Sequence, residues 1–348
     1  MALSGGVDSS VAASELLRDG HEVVGITMRL WGGESDTGCC SMADVDDARR
    51  VAQQLGLDHL VFNFTDDFNE HVVAPYVGAH QQGLTPNPCI ECNRHLKFHR
   101  LSERADLLGF DAVATGHHAR IIDRDGVRYV ARGEDMAKDQ SYVVHMLPQR
   151  ELVRTMFPIG NLTKAEVRVR ATALGLRTAD KPDSQDVCFI THDGGRTAFL
   201  GSRIAFRPAT VVDAVDGTTL GVVESVEMVT LGQRRGIGLP GGGPKRYVVD
   251  IDHATSTVKV GDESMLLCDS MVVHDMTWAH QPVDGHVLVQ SSAHGATQPA
   301  AVMLEGNTAM VQWAQPQRRV SPGQSVVLYD ASDTYVLGGG IAGQRLSR

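Results

Sequence analysis

The chain of 348 residues predicts an α/β fold: a doubly wound parallel sheet, then a small β domain and a C-terminal β-barrel. Three observations carry this. Short apolar runs alternate with helix-like runs through the first half. A Gly-rich loop joins the first run to a helix. After about residue 192 the pattern changes to short strands punctuated by Gly and Pro.

The elements follow in order. Residues 8–19 predict a helix, with Val11, Ala12, Leu16 and Leu17 at helical spacing and Gly20 as the stop. "HEVVGITM" (21–28) reads as a buried strand, 43–56 as a helix ending on Gly56, and "HLVFNF" (59–64) as a strand. Helical runs are expected over 67–82 and 93–108, and a further strand at "DAVATG" (111–116). Only residues 1–3 precede Ser4, where a doubly wound sheet needs a full strand. Either that strand is a stub or the stated start lies downstream of the true one; the second is the expectation. "ATVVDAVDGTTLGVVE" (209–224) reads as a hairpin around Asp216-Gly217, and 245–252 as a strand. The division is 1–192, 193–262 and 263–348.

Composition narrows the class. No apolar run approaches the roughly 20 residues of a membrane span. No signal peptide opens the chain. Six cysteines, at 39, 40, 89, 92, 188 and 268, are too unevenly spread for a disulfide scaffold. These readings point to the cytoplasm. The net charge of −10 argues mildly against a phosphate-rich partner, although the local patch decides.

"LSGGVDSS" (3–10) is the most informative loop. A Gly-rich turn between strand and helix aims backbone N–H groups at an anion. It has no lysine of the G-x-x-x-x-G-K-[ST] kind and lacks the spaced glycines of a dinucleotide loop. Asp8 is out of place in a plain phosphate cradle. The string S-G-G-V-D-S resembles the PP-loop of the adenine-nucleotide α-hydrolases, which cleave ATP between its α and β phosphates. The resemblance implies pyrophosphate with Mg2+, so that Asp8 helps hold the metal while amides and Ser4, Ser9 and Ser10 hold oxygens.

Cys89 and Cys92 form a C-x-x-C just before a helix, in "LTPNPCIECNRHLKF" (84–98). A helix N-terminus favours thiolate, and Arg94 and Lys97 add to that. Half a metal site, a redox pair and a nucleophile with a neighbour all remain open. Cys188, in "KPDSQDVCFITHDGG" (181–195), alone reads as a core cysteine. Arg94, Lys97, Arg100 and Arg104 fall on one helical stripe after the cysteine loop.

Together "SGGVDSS", "TPNPCIECN", "ATGHHAR", "KDQSY", "MFPIGNLTKAEVR", "KPDSQDVCFI", "LGQRRGIGL" and "YVVDID" come in the order seen in the bacterial tRNA-specific 2-thiouridylases, and the chain resembles that family over essentially its whole length. The resemblance implies ATP-dependent conversion of the tRNA wobble uridine to 2-thiouridine, the activity of a tRNA-uridine 2-sulfurtransferase. It implies that Ala2, Leu3, Ser4, Gly5, Gly6, Val7, Asp8 and Ser9 cradle ATP, with Met28 and Gly116 at the adenosine. It implies tRNA contacts, around the anticodon stem-loop, from Asn87, Pro88, Cys89, His117, Lys138, Asp139, Gln140 and Gln324. Cys92 and Cys188 would be the chemical cysteines, fed by a sulfur-relay donor such as a cysteine desulfurase. Many family members carry Asp where this chain has Cys89. Cys89, Cys92 and Cys188 could instead hold a 4Fe–4S cluster with one open iron. The basic stripe then reads as a tRNA contact. His118, His145 and His274 need no function, and Cys39, Cys40 and Cys268 read as passive.

Two rivals stand beside this. Another PP-loop synthetase adenylating a small molecule would exchange ATP and pyrophosphate without tRNA. A zinc or iron–sulfur binding protein would hold metal without ATP turnover and leave the PP-loop unexplained.

Overall fold

A computed structural model of the protein describes residues 1–31, 42–183, 187–190, 194–239 and 243–343. Residues 1–3 pair as a short stub at the centre of the first sheet. Leu3 N donates to Ile26 O and Ile26 N to Met1 O on one side, and Ala2 N donates to Ala114 O on the other, each at 2.8 Å. The partners belong to β1 (Val24–Arg29) and β3 (Val113–Ala114). β1 pairs in parallel with β2 (Asp58–Asn63), Val24 opposite Asp58. After β3 come β4 (Ala119–Arg124), β5 (Val127–Arg132) and β6 (Thr155–Met156), and β6 pairs in parallel with β3. The order is therefore β2–β1–stub–β3–β6. The winding reverses at the stub, the place where open α/β sheets bind ligands.

Helix α1 (Val7–Arg18) follows the stub and buries Val7, Val11 and Ala12 against Ile159, Val167 and Leu176. Helix α2 (Met42–Leu55) covers the same side of the sheet through Ala48 and Ala52, which pack with Leu3. The expected helical runs occupy 65–81 and 88–107. Both contain wider π turns, at Asn69–Val73 and Cys92–Arg100, a distortion common at functional sites. The strand expected over 111–116 is cut to two residues, because the chain leaves the sheet there to meet the opening loop. β4 and β5 form a hairpin on Asp125-Gly126, both at positive φ.

The small domain is a sheet of β7 (Ala209–Asp213), β8 (Thr219–Val223), β9 (Tyr247–Asp252) and β10 (Thr257–Gly261), in the order β8–β7–β10–β9. Its first hairpin turns on Gly217, as the sequence predicts. The last domain is a closed barrel of β11 (Leu267–Trp278), β12 (Gly285–Gln290), β13 (Gln298–Glu305), β14 (Thr308–Arg318), β15 (Ser325–Tyr329) and β16 (Val336–Ala342). Closure removes the free edges that a six-stranded sheet would expose. The barrel docks on the first domain. Tyr335 forms an antiparallel bridge with Ala131, and Val327, Tyr329 and Val336 share one buried cluster with Ile90, Phe98 and Tyr142.

Candidate active site

The loop 4–6 turns sharply after the stub. Gly5 has φ 72°, and a Cβ there would stand 2.3 Å from Asp44 O, so only glycine fits. Gly6 caps α1 without any side-chain bond, which leaves the first amides of the helix for an anion. The hydroxyls of Ser9 and Ser10 donate to Gly6 O at 3.0 and 2.8 Å, and Ser4 N donates to Ser9 Oγ at 3.2 Å. They shape the cradle from within. Gly116 closes its far side: a Cβ would lie 2.7 Å from Ser9 N. Met28, near the end of β1, is buried close by in the sheet.

Asp8 is not left facing an anion unpaired. Lys164 Nζ donates to its two oxygens at 2.7 and 2.8 Å, and His118 Nε2 lies 3.2 Å from Oδ1. Burial pushes the Asp8 carboxyl up, but the bonds from His118 and Lys164 outweigh it and hold the group below its ordinary value. Lys164 is 8% exposed and also meets Asp183 at 2.8 Å. Asp183 gathers Lys138 at 2.8 Å and Arg168 at 2.9 Å. Burial raises its carboxyl, yet the bonds from Lys138 and Lys164 bring it down to about 2. Lys181 Nζ ties Gly5 O at 2.9 Å to Asp44 and Asp47. The stem of the Cys188 loop, 181–183, is thus bonded directly to the nucleotide cradle.

Cys92, 7% exposed, and Cys188, half-buried, are thiols in one cluster with Phe64, Phe68 and Tyr76. Phe189 anchors the Cys188 turn, its ring centroid 5.0 Å from Phe199, 5.5 Å from Tyr76 and 5.6 Å from Phe68. Cys89 is exposed, with its N–H donating to Asn87 Oδ1 at 3.1 Å, where Asn87 caps the helix that begins at Pro88. The barrel reaches this approach as well: Gln324 Nε2 donates to Thr85 O at 2.5 Å and Thr85 N to Pro322 O at 2.9 Å.

The remaining expected site residues lie as follows. Among the described residues no group of three or more His, Cys, Asp or Glu side chains is placed to hold a metal ion. His117 is buried between Phe98 and Phe157, bonded to Thr115 Oγ1 at 2.7 Å; burial, then Lys97 and His118, hold its pKa well below the ordinary value. Asp139 is also turned inward, its side chain 5% exposed. Lys138 and Gln140 flank it, Lys138 on Asp183 and Gln140 on the backbone of His118. Two of the four cations of the basic stripe are in ion pairs: Arg94 with Glu91, and Arg100 with Asp67 and Glu103. Cys39 and Cys40 lie outside the described residues.

The sequence reading missed His118, Lys164, Lys181 and Asp183 as parts of the site. One signal was available: Thr163 and Glu166 form a capping box, which sets Lys164 at the first position of its helix. The others lie far from the loop 4–10 along the chain and join its network only by folding.

An anion loop with no lysine in its own string but with an acid, at the switch point of a doubly wound sheet, places the first domain among the PP-loop ATP pyrophosphatases. Residues 1–192 match the family model of the tRNA methyl transferase HUP domain, 197–262 the tRNA methyl transferase PRC-barrel domain and 268–342 the aminomethyltransferase beta-barrel domain. The chain is 45% identical to the tRNA-specific 2-thiouridylase MnmA of Chloroflexus aurantiacus, over 98% of this chain and 96% of that protein. It is 44% identical to the same-named protein of Mycolicibacterium gilvum, over 94% of both, and 42% to that of a Roseiflexus species, over 98% and 97%. The chain belongs to the tRNA-specific 2-thiouridylase family. Among the described residues no helix is long and apolar enough to cross a membrane.

Proposed function

We propose that this protein converts the wobble uridine of tRNA to 2-thiouridine at the expense of ATP, with the reaction in the cytoplasm. The observation that carries the chemistry is the grouping in one cluster of Cys92 with Cys188, the latter on a loop whose stem is bonded to the PP-loop. A small-molecule synthetase would need no such pair, and near-full-length identity to 2-thiouridylases disfavours it.

The uridine 2-oxygen attacks the α-phosphorus of ATP, and pyrophosphate leaves. The C2–O bond now ends in AMP, a good leaving group. The amides at the start of α1 hold phosphate oxygens, and the Lys164 ammonium, already beside Asp8, is placed to meet their charge. Asp8 would be the residue to hold magnesium, by exchanging Lys164 from one oxygen, and the metal would supply further charge neutralisation; it commonly takes one or two carboxylates in such sites. A sulfur donor of the cysteine desulfurase class loads Cys188 as a persulfide. Its terminal sulfur attacks C2 and AMP leaves. Cys92 thiolate then attacks Cys188 Sγ, which leaves the sulfur on C2 and a Cys92–Cys188 disulfide, so the two electrons balance. Asn87, Pro88, Lys138 and Gln324 are proposed to meet the anticodon loop.

The test is thiolation of wobble-uridine tRNA by anaerobically purified protein, with iron assayed alongside. Cys92→Ser and Cys188→Ser should abolish thiolation, with tRNA affinity within about twofold, and Cys89→Ser should retain it. Activity surviving in either of the first two sinks the scheme. Loss in Cys89→Ser, with about four irons per chain, replaces the relay by a cluster.

A further inference from the structure

A chain of hydrogen bonds joins the barrel to the nucleotide cradle. Arg132, at the end of β5, is 5% exposed and sits between the two domains. From the barrel side, Asp333 Oδ1 accepts from its Nε and Nη2 at 3.2 and 2.7 Å, and Gln290 Oε1 from its Nη1 at 2.8 Å. Its guanidinium carbon lies 3.7 Å from the centroid of Tyr329. From the catalytic side, its Nη1 donates to Asp139 Oδ2 at 2.7 Å. Burying such a charge is costly unless every donor is matched, and planar, forked Arg is the side chain able to match them.

Asp139 distributes that fixation. Its oxygens also accept from Gly133 N at 2.8 Å, Ser141 N at 3.2 Å and Ser141 Oγ at 2.7 Å, so the run 138–140 is pinned from within. One arm runs through Gln140. Its N–H donates to His118 O and its Oε1 accepts from His118 N, both at 2.8 Å, and this two-way clamp sets His118 Nε2 at 3.2 Å from Asp8. The other arm runs through Lys138, whose Nζ holds Asp183, the carboxylate that shares Lys164 with Asp8. Both arms converge on the one acid of the PP-loop.

We propose that Arg132 is a positioning residue for ATP, through which the docked barrel sets the geometry of Asp8. This rests on the nucleotide reading of the PP-loop given above. A purely adhesive role would be served by the apolar contacts already joining the domains, Val327, Tyr329 and Val336 against Phe98 and Tyr142. The polar network instead ends on the reactive site. Coupling of this kind typically shifts affinity severalfold when a link is cut.

The experiment is calorimetric titration of ATP and magnesium into the full chain, well below melting, for wild type, Arg132→Lys, Asp333→Asn and the double variant. Asn keeps the shape of Asp333 and tolerates its φ of 54°; with the carboxylate 30% exposed, this variant keeps the test usable if Arg132→Lys does not fold. Both single variants should weaken ATP about fivefold, with tRNA affinity changed less than about twofold. The double variant should be no weaker than Arg132→Lys alone, since both cut one path. Unchanged ATP affinity in the folded variants, or additive losses in the double, overturns the proposal. Protein that binds ATP with this pattern but thiolates no tRNA would sink the proposed function and leave the positioning role standing.

Discussion

Gly116→Ala tests the nucleotide site most directly. The added methyl would lie 2.7 Å from Ser9 N, and 2.9 Å from both Asp8 C and Ser9 Cα. Ordinary carbon contacts are about 3.5–4.0 Å, so the shortfall is about 0.6–1 Å. All three atoms are backbone in the first turn of α1, so no side chain can rotate to relieve them. That turn cannot back away freely either: Val7 and Val11 are buried against Ile159 and Val167, and Asp8 is held by Lys164 and His118. The overpacking should cost about 1–3 kcal/mol of stability. A loop displaced by about 1 Å loses about 100-fold in rate where reacting groups must align. The assay is tRNA-dependent pyrophosphate release at saturating ATP, with ATP affinity and thermal unfolding measured beside it. The control is Gly78→Ala in the helix Ala74–Gln81, where a Cβ meets nothing within 4 Å and the helix gains about 0.5–1 kcal/mol. A Gly116→Ala protein with wild-type pyrophosphate release would refute the placement of Gly116 against the ATP cradle.

Other expectations follow from the same site. Phe189→Ala removes the ring that anchors the Cys188 turn, at a cost of about 3–5 kcal/mol; thiolation should fall while ATP affinity holds, and parallel loss of both would deny the anchoring role. Asp183 has its carboxyl held down at about 2 against an ordinary 3.8, so its stabilisation is present above about pH 4 and fades as pH falls toward 2. Denaturant midpoints at pH 5 and pH 2.5 should therefore drop further in wild type than in Asp183→Asn, by on the order of 1 kcal/mol once solvent screening is allowed for. Equal drops would mean that the ion cluster around Lys164 adds nothing to folding.

What could be read without a structure was whatever is written locally. The string 4–10 specifies a turn, a cradle and an acid within one helical turn, because glycine conformation and helix N-termini act over a few residues. Alternating apolar runs marked the doubly wound sheet, and Asp216-Gly217 marked the first hairpin of the small domain, for the same reason. The two cysteines proposed for the chemistry were legible only through the order of motifs along the whole chain, since spacing could not link Cys92 to Cys188. The partners of the site were decided by tertiary structure. Lys164 lies 156 residues from Asp8, Lys181 lies 176 from Gly5, and Asp333 lies 201 from Arg132. Contacts across such separations leave no periodicity, and each charged side chain reads by itself as an ordinary surface charge. The inward turn of His117 and Asp139, and the pairing of Arg94 and Arg100 in the basic stripe, were hidden likewise. Burial and pairing are properties of the packed domains: only when the barrel closes on β5 and the Cys188 stem on the PP-loop does each charge acquire its partner.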